Sequence, residues 1–410
     1  MQAKQVLHKL LDTTCSMMHQ TRRTALEVNV MAALTGTRLT VTDLGRAIAS
    51  PARQKHCIKR ADRLLSNAHL HQERESIYAD LTRLLVGSQL RPVIMVDWSD
   101  LDACKRHFLL RAALALEGRS VTLYEEVHTL RSKEKPKTHL KFMQTLNRML
   151  PTDCCPIIVS DAGFRVPWFT LVESFGWDWI GRVRNRTLVQ WEEEEEAAWF
   201  PCKSLYTQAT RTPTALGAAR MARRNPIACQ LILVQDKPKG RVHKNRLGQK
   251  AMNSYSRKHA ASAKEPWLLA TSLPPYSHLA KRVVEGYSRR MQIEESFRDL
   301  KSTRFGLSLE LHRTWQAKRL QVMLLIANLA LLVAWLLGKA TELTDQHWQY
   351  QANTVRTRNV LSTIFIGLKI IDDSRVTLTE HDLIVAWKQL HDILQSQALF
   401  YESEPTRKAA

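Results

Sequence analysis

The sequence predicts a mixed α/β protein whose sheet-bearing middle is flanked by helical regions at both ends. Three observations carry this. Two short apolar runs, PVIMVDWS from Pro92 and PIIVSDAGF from Pro156, end on polar residues as buried strands do. The central segments follow in the order strand, strand, strand, helix, strand, helix, which belongs to a mixed sheet. Gly and Pro together make only 28 of 410 residues, so long helices are expected elsewhere and collagen-like or linker-like chains are excluded.

Residues 1–88 read as a helical, basic domain. Within TVTDLGRAIASPARQKHCIKRADRLLSN, Thr42 or Asp43 would cap a short helix, and Ser50-Pro51 would punctuate before a second one. Arg53, Lys55, Lys59, Arg60 and Arg63 crowd that second helix, which suits phosphate contact in a helix-turn-helix-like unit. A solvated basic face is the alternative. From residue 89 the strand VIMVD is followed by RHFLLRAALAL and RSVTLYEEV, an antiparallel pair turning at Glu117-Gly118. Lys133–Leu150 reads as a helix, IIVSD as a strand, Val166–Phe175 as a helix and WDWIGRVR as a strand, closing a segment 89–184.

Residues 185–263 break this texture and read as a β-rich or irregular insertion, with one clear strand, CQLILVQD, and an acidic run at Glu192–Glu196 that fits a solvated loop. Order returns over 264–310 with the strand PWLLATSLP and a long helix from about Leu279 to Phe305, stopped by Gly306. Residues 311–410 are helical around LQVMLLIANLALLVAWLLG, Leu320–Gly338. That stretch approaches the length of a membrane span, but Gln321 and Asn328 interrupt it and no other segment is similar, so a buried core helix and no membrane partner are expected.

Charge points to the partner. Lys and Arg number 60 against 39 Asp and Glu, a net charge of +21, as a polyanion-binding chain needs. Seven scattered cysteines without a C-x-x-C pair read as reduced thiols of a cytoplasmic protein, and the N-terminus lacks the apolar core of a signal peptide.

Three carboxylates are the candidate chemistry. Asp97 and Asp161 each end a buried strand, where ligands bind in α/β sheets, and two such carboxylates on neighbouring strands imply a divalent cation between them. Either aspartate alone could instead cap a helix or turn. In YSRRMQIEESFRDLK, helical spacing puts Tyr287, Arg290, Glu294 and Lys301 within an arc of about 60°, with Glu295 roughly 100° from Glu294. Alternating charges on a helix can be mere salt-bridge decoration. The nucleotide and acylation motifs G-x-x-x-x-G-K-[ST], G-x-G-x-x-G and G-x-S-x-G are all missing, so no nucleotide cofactor is expected.

Asp97, Asp161 and Glu294, with Tyr287-x2-Arg290-x3-Glu294-x6-Lys301, resemble the DDE triad and YREK signature of bacterial cut-and-paste insertion-sequence transposases of family four. The likeness also runs through VDWSD (96–100), LEGRSVTLYE (116–125), IVSDAGFRVPW (158–168), KEPWLLAT (264–271) and QANTVRTRNVLS (351–362). The resemblance implies a ribonuclease-H-like core interrupted by a β-rich insertion before the glutamate, matching the separation of 133 positions from Asp161 to Glu294. It further implies two Mg²⁺ ions held by the triad, with Mn²⁺ able to substitute. Nicking, hairpin formation and opening, and strand transfer would follow at one site. By the same resemblance Arg290 and Lys301 grip phosphates, Tyr287 places terminal nucleotides, and Trp267 offers a ring for an unstacked base, although a Trp opening a strand also suits a core. The implied partners are double-stranded DNA, as inverted-repeat ends and target, and a second copy of the chain in a synaptic complex, with 311–410 a candidate for the dimer contact. A DNA-binding protein without catalysis, or a nuclease that cuts without joining, are the competing readings.

Overall fold

A computed structural model of the 410-residue chain describes residues 2–192, 198–235, 249, 251–254, 256–257, 261 and 264–397. The chain divides into two compact units, one running to Cys154 and resuming at Met291, the other spanning Cys155–Arg290.

The first unit begins with five helices, α1 (Gln2–Thr14), α2 (Gln20–Gly36), α3 (Val41–Ala47), α4 (Gln54–Leu65) and α5 (Ala68–Val86). The cap of α3 is Thr40, not Thr42 or Asp43. The Thr40 hydroxyl accepts from the Asp43 N–H at 3.0 Å, and Asp43 sits in the first turn, where its charge suits the helix N-terminus. The predicted strands follow as β1 (Val93–Asp100), β2 (His107–Ala115) and β3 (Ser120–Thr129), an antiparallel set in the order β3-β2-β1. Helix α6 runs Pro136–Met149, starting three residues after the expected Lys133 because Pro136 takes the first turn, where its missing N–H costs nothing.

In the second unit β4 (Ile157–Ser160) and β5 (Asp178–Val183) are parallel, joined through α7 (Val166–Ser174), whose Phe169 stacks on Trp179 at 4.2 Å. The 185–263 segment is richer in strands than its sequence suggests. Besides β9 (Ile227–Val234) it forms β6 (Leu188–Trp191), β7 (Phe200–Pro201) and β8 (Thr214–Met221). These strands contain Gly217, Thr214, Gln190 and three alanines in β8, and β-sheet pairing compensates for their weak apolar pattern. β10 (Trp267–Thr271) lies antiparallel between β5 and β9. Of the acidic run, Glu193–Glu196 lie outside the described residues.

The expected long helix is two helices, α8 (Leu279–Arg289) and α9 (Met291–Lys301). At Arg290 the backbone keeps right-handed helical angles, but its N–H bonds three residues back, to Tyr287, at 3.1 Å. This tighter turn interrupts the regular four-residue ladder.

Back in the first unit, α10 (Ala317–Leu343) is long and apolar enough to cross a membrane, yet 94% of its most apolar 18-residue stretch is buried in protein. Helices α1, α2, α4, α5, α11 (Thr363–Ile370), α12 (Glu380–Ser396) and strand β3 pack around it, so it is the core of this unit. It meets α11 backbone to backbone. A Cβ on Gly338 would stand 1.8 Å from the Thr363 carbonyl oxygen, and one on Gly367 would stand 1.7 Å from that of Ala334. Gly338→Ala or Gly367→Ala must therefore push the helices apart. A loss of about 1–3 kcal/mol or more is expected, read as a lowered melting temperature. An unchanged melting curve for both variants would contradict this packing. Among the described residues, which include all seven cysteines, there is no disulfide.

Candidate active site

Asp97 sits in the first unit on β1, at the end of the fully buried stretch Val93–Val96, and is itself only 8% exposed. Its Oδ1 accepts the Trp98 N–H at 2.8 Å, which orients the carboxylate from the backbone of the next residue. Trp98 lies edge-on to His128 and donates its indole N–H to His139 Nε2 at 3.3 Å. Burial pulls the His139 imidazole from its ordinary 6.5 down to about 4, Glu134 opposes this, and His128 adds to it. The folded state thus binds fewer protons at this site than the unfolded chain. Its contribution to stability is complete above about pH 6.5 and is lost as pH falls toward 4. Denaturant unfolding across that window should show the slope, and His139→Gln should flatten it; an identical slope in the variant would reject the assignment.

Glu294 stands in the first turn of α9. Ile293, Ser296, Phe297 and Leu300 form the buried face of that helix, and Glu294 lies off it and exposed. Several contacts fix α9 on the strands. The Ser120 N–H donates to Ser296 Oγ at 2.8 Å, and Arg119 pairs with the 1%-exposed Asp299. Lys301 donates to Ser99 Oγ at 2.7 Å and to the Asp100 carbonyl at 2.9 Å. Its ammonium group is lowered by burial, against the pull of Asp100 and Asp97. Lys301 thus ties the glutamate-bearing helix directly to the strand bearing Asp97.

In the second unit Asp161 directly follows β4, and its Oδ1 accepts the Gly163 N–H at 2.9 Å. A Cβ on Gly163 would stand 3.0 Å from that oxygen, so glycine keeps this side of the carboxylate open. Tyr287 of α8 is 4% exposed and meets the partly exposed Trp267 edge-on, with ring centroids 5.1 Å apart. Burial pushes the Tyr287 hydroxyl up, Arg290 and Arg182 pull it down, and Asp161 adds to the rise, so these four groups share one neighbourhood. The Arg290 guanidinium lies 5.8 Å from the Tyr287 ring centre.

The one stripe expected from Tyr287 to Lys301 is therefore corrected: Tyr287 lies on α8 and Arg290 caps it, while Glu294 and Lys301 lie on α9. Within α9 the last two remain on the same side, about 20° apart. Asp97 and Glu294 belong to one unit and Asp161 to the other. Among the described residues no three His, Cys, Asp or Glu side chains gather as a ready ligand group. The donors are nonetheless all carboxylates, hard oxygen ligands suited to Mg²⁺, and two of them sit on elements braced to each other.

Neither motif nor helical spacing marks Arg111 and Arg182 as site residues. Arg111, on β2, is 2% exposed and paired with Glu125 at 2.6 Å; a charge inside the apolar run HFLLRAALAL was the signal. Arg182 of β5 donates to the Glu265 and Pro266 carbonyls at 3.3 and 3.2 Å, beside Trp267.

The basic side chains of the α3–α4 unit are Arg53, at the cap of α4, and Lys55, Lys59, Arg60 and Arg63 on it, all exposed. A cavity beside them is lined by Thr40, Thr42, Arg313, Trp315 and Arg319. Trp315 is 66% exposed, and the Arg106 guanidinium stacks 3.6 Å from its ring centre. These cations and this ring, scattered in sequence, extend the basic surface.

A family model for the transposase DDE domain matches residues 88–332. No curated protein matches the chain.

Proposed function

The chain belongs to the DDE transposase family, and we propose that it excises and reinserts an insertion sequence by cut-and-paste phosphoryl transfer. The observation that supports this best is the Lys301 strut, which holds the Glu294 helix against the Asp97 strand inside the matched region. Asp97, Asp161 and Glu294 are the catalytic carboxylates and would hold two Mg²⁺ ions, with Mn²⁺ able to replace them. Such a pair, when bound, activates water and neutralises the attacking and leaving oxygens. The protein's own task is mostly placement, because phosphoryl transfer needs alignment and charge neutralisation rather than a covalent enzyme intermediate.

In this reading water first hydrolyses the phosphodiester at the element end and leaves a 3′-hydroxyl. That hydroxyl attacks the opposite strand, expelling the flanking DNA and forming a hairpin. A second hydrolysis reopens the hairpin, and the 3′-hydroxyl then displaces a 5′-segment of target DNA. Arg290 faces phosphate near the end. Lys301 carries three N–H bonds, two of them given to Ser99 and Asp100, and directs the third to phosphate. A tight hairpin forces a base out of the stack, and Trp267, the more exposed ring of the Trp267–Tyr287 pair, receives it while Tyr287 backs it. Arg53, Lys55, Lys59, Arg60 and Arg63 grip the end sequence through phosphates. Two copies work on paired ends, with the C-terminal helices as the dimer contact, and the reaction takes place on cytoplasmic DNA.

The five segments 1–88, 89–184, 185–263, 264–310 and 311–410 are in this view a DNA-binding domain, a core in two parts around an insertion, and a dimerisation region. The enzyme is of insertion sequence family four and resembles the transposase of the insertion sequences that flank a tetracycline-resistance transposon.

The test is a labelled duplex ending in the inverted repeat taken from DNA flanking the gene. With Mg²⁺ the protein should nick at the element boundary and give hairpin product, and with a chelator it should give neither. Binding without any cleavage would make it a DNA-binding protein only.

A further inference from the structure

Across β1, β2 and β3 the antiparallel register sets Asp97 opposite Arg111 and Arg111 opposite Glu125. Residues directly opposite in such a ladder project from the same face, with Cβ atoms about 5 Å apart. The middle member is a guanidinium at 2% exposure, where an unpaired charge is very costly. It is held firmly on one side. Arg111 Nε donates to Glu125 Oε2 at 2.8 Å, and Nη2 lies 2.6 Å from the same oxygen. The other Glu125 oxygen accepts the Tyr78 hydroxyl at 2.7 Å, and the Glu125 carbonyl accepts from Arg74 at 2.8 Å. Arg111 also lies over Phe297, 5.0 Å from the ring centre, and Phe297 belongs to the helix that carries Glu294. The Lys301 ammonium lies 5.7 Å from the same ring and senses both Arg111 and Asp97.

We propose that Arg111, clamped by Glu125, is a positioning residue that sets the Asp97 carboxylate and the Glu294 helix at a fixed separation for metal binding. The clamp has what a positioning device needs: a planar fork with little freedom, anchored on a neighbouring strand and packed on the helix to be placed. The inference rests on the reading of Asp97 as a metal-binding carboxylate.

The informative protein is Arg111→Met/Glu125→Gln, which keeps the net charge and leaves an amide oxygen on β3 to accept from Tyr78. Replacing a buried pair in this way is often tolerated by the fold. Three readouts are needed: end-DNA binding, Mn²⁺ binding to the protein alone followed by electron paramagnetic resonance, and Mg²⁺-dependent nicking. End-DNA binding should stay at the wild-type level. Mn²⁺ affinity should fall about 10-fold or more, and nicking at saturating Mg²⁺ should fall about 100-fold. Unchanged or tighter Mn²⁺ binding would overturn the proposal, as would nicking at the wild-type rate. Should the double variant not fold, Arg111→Lys keeps the charge and loses the fork, and must weaken Mn²⁺ binding and nicking in the same direction; wild-type behaviour of the Arg111→Lys protein overturns the proposal equally. Asp97→Asn run in parallel separates the two layers. If it still nicks, the carboxylate reading fails; if it is inactive while the Arg111 variants are normal, only the positioning role fails.

Discussion

Asp97→Asn, Asp161→Asn and Glu294→Gln proteins should each bind end DNA normally and nick it about 1,000-fold or more slowly than wild type. Each change replaces one oxygen by an amide nitrogen and removes a negative charge, so local structure is preserved while the ligand is lost. In the Asp97→Asn protein the remaining amide oxygen can still accept the Trp98 N–H, and in the Asp161→Asn protein it can still accept from Gly163. Glu294 is exposed on α9, whose anchoring rests on Ser296, Asp299 and Lys301, so the glutamine variant leaves the helix in place. A rate loss confined to the chemical step is thus expected at all three positions. Near-native cleavage by any one of them removes that residue from the catalytic set.

The second large effect is on binding. On the proposed reading, a net charge of +21, five exposed cations over 53–63 and the Arg106–Trp315 stack would make the phosphate-binding surface. If about six to ten phosphates are neutralised at each end, affinity should fall roughly 10³–10⁵-fold between 50 and 200 mM salt. Lys59→Gln or Arg60→Gln should each reduce the salt slope by about one and weaken all sequences alike, as a phosphate contact does. A flat salt response in the wild-type protein would contradict an extended backbone interface. Equal slopes in wild type and variants would move that interface away from α4.

The strands bearing Asp97 and Asp161 were legible because each is a short apolar run with a polar end, a pattern that depends only on local burial. The buried helix Ala317–Leu343 was legible for the same reason. Its two polar interruptions and its isolation favoured a core helix over a membrane span, and the packing around it agrees. Features that depend on partners distant in sequence were not legible. No proline stands near the break at Arg290, and the nearest glycine, Gly286, lies one turn back within α8, so helical periodicity runs straight through it. Strands β6 to β8 are held by pairing rather than by their own apolar alternation. Lys301 reads in sequence only as a cation at helical spacing, and its bonds to Ser99 and Asp100 arise from residues some two hundred positions away. Arg111 announced itself as a charge in an apolar strand, but its meaning needed the register that sets it between Asp97 and Glu125.

The most direct measurement supplies pre-cut element ends with free 3′-hydroxyls, a target plasmid and Mg²⁺, and looks for covalent joining. The wild-type protein is expected to yield joined product, and the Asp97, Asp161 and Glu294 variants to yield none while still holding the ends. Cleavage activity without any joined product would reduce the protein to a nuclease, and joining by the triad variants would place the chemistry elsewhere in the chain.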